Sequence, residues 1–92
     1  MIHFIVHGKN DTVGVVVTDV AELQVLTGWN METDETLEET AKQDIPLGHK
    51  IALSSVSSGD VIVKYNAAIG KATEEIHVGE HVHTHNLKTA RW

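Results

Sequence analysis

Ninety-two residues with 41% hydrophobic composition predict one domain, residues 1–92, whose core is too small to enclose a sizeable active site unaided. A net charge of −6 with histidines neutral, and only seven Lys and Arg, argue against a nucleic-acid partner, whose phosphates demand clustered cations. The absence of cysteine excludes disulfides and thiolate metal sites, and Met1 to His7 shows no basic start followed by a long apolar run. No apolar run nears the roughly 20 residues of a membrane span, so a cytoplasmic protein without a membrane partner is expected.

In chain order, short runs rich in aliphatic residues predict strands at Ile2 to His7, Thr12 to Thr18 and Leu23 to Trp29. The segment TDETLEETAKQD (33–44) is the one place where helix competes. Its only large apolar residue is Leu37, which leaves no apolar stripe, so strand or extended loop is favoured. In IPLGHK (45–50), Pro46 biases Ile45 towards an extended conformation and Gly48 can adopt a positive φ, predicting a sharp turn that presents His49 and Lys50. Further strands are expected at Ile51 to Leu53, Val61 to Tyr65 and Glu80 to Asn86, with Gly-marked corners at Gly59, Gly70 and Gly79. The fold class is mostly β, and no internal repeat is visible.

The densest chemical signal is GEHVHTHN (79–86). In an extended strand His81, His83 and His85 share one face, Val82 and Thr84 the other. Alternate side chains lie about 6.5 to 7 Å apart, a spacing that suits two ligands around one ion and strains three. The competing reading is a polar row on an edge strand that binds nothing. His49 and Lys50 likewise read either as an imidazole beside an ammonium able to hold a carboxylate or sulfonate, or as two exposed turn residues. Glu74, Glu75 and Glu80 could orient an imidazole or form a solvated acidic rim. His3 and His7 read as structural and His77 as solvated. No nucleophile arrangement, phosphate loop or dinucleotide fingerprint is present.

The blocks IPLGHKIAL (45–53), GDVIVKYNAAIGKA (59–72) and GEHVHTHN (79–86), with NDTVGVVV (10–17) ahead of them, resemble the SAF-type domain of the altronate dehydratase family in order and spacing. The resemblance implies a β-clip fold and a small chain that works beside a large catalytic subunit. It also implies lyase activity on a small 2-hydroxy acid, eliminating water from altronate or galactarate or, in one branch, sulfite from 3-sulfolactate. The ending EHVHTHNLKTARW (80–92) is more similar to the sulfolactate branch. By resemblance, His49 and Lys50 match a catalytic glycine-histidine-lysine block, with Lys50 and Asn86 contacting substrate. His83 and His85 would bind a divalent metal such as iron, with His81 secondary. The alternative from another class is a non-catalytic SAF-type module that binds a carboxylated ligand or a protein partner.

Overall fold

The computed structural model describes residues 1–89. Among them are nine strands and no helix: β1 (Phe4–Val6), β2 (Val13–Val16), β3 (Val25–Asn30), β4 (Glu35–Thr40), β5 (Lys50–Ala52), β6 (Val61–Lys64), β7 (Ala67–Ala72), β8 (His81–Val82) and β9 (Leu87–Thr89). Six form one sheet in the order β4-β3-β1-β2-β5-β8, and three form a second in the order β6-β7-β9. All neighbours are antiparallel except β1 and β3. Two aliphatic clusters hold the structure. Phe4, Val16, Leu26, Ile45 and Ile51 centre one, and Val13, Ile62, Ile76 and Val82 centre the other. Removing these branched side chains from water supplies the main driving force, with Phe4 the one aromatic in either centre.

A six-residue corner recurs four times, a repeat the sequence reading does not find. Each corner opens on a buried aliphatic residue (Val20, Ile45, Val56, Ile76) and turns at a fourth residue of positive φ: Leu23 at 70°, Gly48 at 88°, Gly59 at 90° and Gly79 at 87°. A polar fifth residue then leads into β3, β5, β6 or β8. In every corner the fifth N–H donates to the second carbonyl: Gln24 to Ala21, His49 to Pro46, Asp60 to Ser57 and Glu80 to His77, at 3.0 to 3.1 Å. The corners also associate in pairs, through bridges between Val20 and Ile45 and between Val56 and Ile76. Leu23 stands where glycine stands in the other three, and the corners are unevenly spaced along the chain, so the repeat is faint in the sequence.

The strand expectations hold for β1, β2, β3, β5 and β6, and residues 35–40 of the acidic segment are strand. Two expectations change. Gly70 is no corner but lies inside β7, where an added Cβ would come within 2.2 Å of the Lys88 carbonyl oxygen, so glycine permits the close approach of β9. The expected run Glu80 to Asn86 is strand only at His81–Val82. Beyond it Asn86 bends the chain. Its Oδ1 accepts from the His83 N–H at 2.9 Å, its Nδ2 donates to the His81 carbonyl at 2.8 Å, and the Leu87 N–H returns to the His83 carbonyl at 2.9 Å. An amide side chain that satisfies its own turn competes successfully with the ladder.

Candidate functional site: a histidine cluster between a corner and a turn

His49 closes the second corner, immediately before β5, and His81 opens β8. The antiparallel register sets Lys50 opposite Val82 and Ile51 opposite His81. One step beyond this ladder, His49 faces His83, and their rings stack with centroids 3.8 Å apart and planes 16° from parallel. His49 Nδ1 lies 2.8 Å from His81 Nε2. His49, His81 and His83 each offer one ring nitrogen, and these atoms lie within 4.8 Å of one another. His85, carried off by the turn, is exposed and outside this group, its ring tilted 45° against His81 at 4.9 Å. The structure thus unites the histidine of the 48–50 block with two from the 79–86 block.

Two of the three imidazoles, His81 and His83, are shifted towards the neutral form. Burial, then the charges of His85, His49, His83 and Lys50, push the His81 pKa down to about 4. His83 is lowered as well, first by burial and then by His49, Lys50 and His85. Neutral imidazoles keep lone pairs available for an ion or a proton. His83 Nδ1 is buried without a hydrogen-bond partner among the described residues, an arrangement that costs free energy unless something else meets that nitrogen.

Lys50 is half-buried on β5, and its pKa is lowered by burial and, second, by the charge of Lys64. Lys64 ends β6 and lies 5.4 Å above the Tyr65 ring. Among the described residues the one ion pair is His77 with Glu75 at 3.1 Å, so neither lysine has a carboxylate partner there, in a chain of net charge −6. Glu80 accepts from the His77 N–H at 2.6 Å, and no cluster imidazole bonds to Glu74, Glu75 or Glu80. This surface therefore carries positive charge and open imidazoles, suited to a small anion.

The remaining predicted residues have plain placements. Asn86 is buried, with both ends of its amide engaged in the turn beneath His81 and His83. His3 Nδ1 accepts from the Thr27 N–H at 2.9 Å, His7 stacks on Tyr65 at 3.9 Å, and His77 is exposed. Sequence reasoning missed Lys64, whose nearness to Lys50 depends on how β6 meets β2. It also missed Gln43, whose Oε1 accepts from the His81 N–H at 2.8 Å and anchors β8. No pattern marks Gln43.

Comparison with known proteins identifies the family. Residues 2–90 match the family described as Altronate/galactarate dehydratase SAF domain. The chain is 47% identical over 92 residues to (2R)-sulfolactate sulfo-lyase subunit alpha of Chromohalobacter salexigens, covering 99% of this chain and 98% of that subunit. The protein of the same name from Paracoccus pantotrophus is 57% identical over 53 residues, 58% of this chain and 79% of that one. Altronate dehydratase of Bacillus subtilis is 40% identical over 86 residues, 94% of this chain and 16% of that enzyme. These relatives are named as lyases, and the name subunit alpha implies a companion subunit. With nearly its whole length matched and the mostly-β fold in place, the chain belongs to the altronate/galactarate dehydratase SAF domain family.

Proposed function

We propose that this chain is the small subunit of a cytoplasmic sulfo-lyase, that residues 1–92 form one SAF-type domain, and that it works with a large catalytic subunit to eliminate sulfite from (2R)-sulfolactate. The observation that carries this reading is the 47% identity across 98% of a subunit that bears that activity in its name. The histidine cluster, with Lys50 and Lys64, supplies the chemistry the reaction needs.

Elimination removes the proton on the carbon that bears the carboxylate and hydroxyl, while the bond from the neighbouring carbon to sulfur breaks. The electron pair leaves with sulfite, and the enol left behind becomes a 2-keto acid. A base, a proton carrier and a sink for carboxylate charge are required. Lys50, and Lys64 beyond it, pair with the anionic carboxylate and sulfonate of the substrate. His49, His81 and His83 fit a divalent ion such as iron: all three donors are imidazole, His81 is deprotonated near neutral pH, and His83 Nδ1 has no other partner among the described residues. When bound, such an ion supplies Lewis acidity towards the carboxylate and hydroxyl. His85, on the rim, is placed to carry protons between the cluster and water. Asn86 acts from below, by fixing the turn that aims His81 and His83.

Co-expression with the companion large subunit tests the reading. The purified, metal-loaded complex is expected to form equimolar sulfite and 2-keto acid from sulfolactate, and to leave altronate unchanged. Dehydration of altronate without sulfite release would reassign it to the sugar-acid branch.

A further inference from the structure

The four corners are natural controls for one another, and the second differs in how its fifth side chain is used. In three of them the polar fifth residue turns its side chain back onto the N–H of the second: Gln24 Oε1 accepts from Ala21 at 3.0 Å, Asp60 Oδ2 from Ser57 at 3.2 Å and Glu80 Oε1 from His77 at 2.6 Å. The backbone of the second corner is otherwise the same. Gly48 N–H donates to Val16 and the Val16 N–H returns to His49, both at 2.9 Å. Those contacts match Leu23 with Ala41 and Ala41 with Gln24, Gly59 with Ala72 and Ala72 with Asp60, and Gly79 with Ala52 and Ala52 with Glu80. At the second corner, however, the second residue is Pro46, which has no N–H to be capped. Its fifth residue, His49, has no such bond to make, and its imidazole instead meets His81 and stacks on His83.

We propose that Pro46 is a positioning residue: by deleting the N–H that the corner would otherwise cap, it frees His49 to join the histidine cluster. The competition is between comparable bonds. A side-chain acceptor on a turn N–H is a stabilising bond of the kind that caps helix ends. An imidazole can serve in this role, since His3 Nδ1 already accepts a backbone N–H at 2.9 Å in this chain. A non-proline residue at position 46 would therefore draw His49 back onto its own corner and away from His81 and His83. The inference concerns the geometry of the cluster, and stands whichever acid the complex acts on.

The full chain, kept metal-free with a chelator at about pH 7.5, where His81 is neutral, provides the test. In the wild type, NMR is expected to show inter-ring contacts between His49 and His83. In Pro46→Ala those contacts should weaken at least severalfold, and His49 Nδ1 should show hydrogen bonding to the backbone N–H that the substitution restores at position 46. A second arm compares His49→Asp in the two backgrounds. With alanine at position 46 the aspartate can cap as Asp60 does, and the melting temperature should rise by about 4 °C or more relative to the same change made with Pro46 in place. Unchanged His49–His83 contacts in folded Pro46→Ala, or an equal response to His49→Asp in both backgrounds, would overturn the proposal.

Discussion

His49 Nδ1 and His81 Nε2 stand 2.8 Å apart although 32 positions separate them in the chain. One proton fits between two such nitrogens, and their contact joins the second corner to β8 at the centre of the candidate site. The register of β5 on β8 and the bend imposed by Asn86 both serve this contact.

Ion binding should follow the three-donor cluster. His49→Ala, His81→Ala and His83→Ala are each expected to weaken Co2+ binding to the full chain by about 100-fold, because a lost imidazole leaves an incomplete ligand set. His85→Ala should change it little. Titration followed by the visible spectrum of the ion measures this, and equal losses at 83 and 85 with none at 49 would indicate a different pair of ligands.

The metal-free chain should lose stability on acidification. An unfolded histidine takes a proton near pH 6.5, whereas folded His81 resists until about 4. Between these values the unfolded state binds more protons, so stability falls as pH drops from 6.5 towards 4, and below 4 this contribution is flat. Chelator-treated protein melted across that range should show the slope, and His81→Gln should flatten it.

Asn86→Ala removes two bonds of a buried amide, leaving the His83 N–H and the His81 carbonyl without it. A cost of about 1–3 kcal/mol is expected in denaturant unfolding. Asn86→Asp keeps the acceptor for His83 and should lose less. Either change also loosens the aim of both histidines, so ion affinity should fall with stability.

Charge at Lys50 and Lys64 should act on substrate binding. Lys50→Gln in the assembled complex is expected to raise KM for sulfolactate about tenfold or more, as loss of a charged hydrogen bond would. Lys64→Gln should raise it less, since Lys64 lies farther from the cluster along the same surface. Steady-state kinetics with sulfite detection separates KM from kcat, and unchanged KM in both variants would remove the lysines from recognition.

Much of the fold was legible because β-branched runs such as Val13 to Val16 and Val61 to Val63 declare strands directly. β7 did not, because Ala67–Ala72 holds only one branched residue and gains its strand character from pairing with β6 and β9. β4 was within reach by exclusion, since a single Leu37 gives a helix nothing to bury. For the site, the residue types and two of the blocks were readable. Their grouping was not, because alternation along a strand fails where Asn86 satisfies the turn, and the partnership of His49 with His81 is set by the register between β5 and β8. The last residues of the tryptophan-ending tail, 90–92, lie outside the described part of the chain.

The expected role of the His49–His81–His83 cluster is in sulfite elimination. Its most direct test is sulfite release by the complex of this chain with its large subunit, comparing wild type with His81→Ala at equal assembly and fold. The expected result is at least about a 100-fold loss of kcat/KM, close to 3 kcal/mol of transition-state stabilisation. Full activity in an intact His81→Ala complex would contradict it.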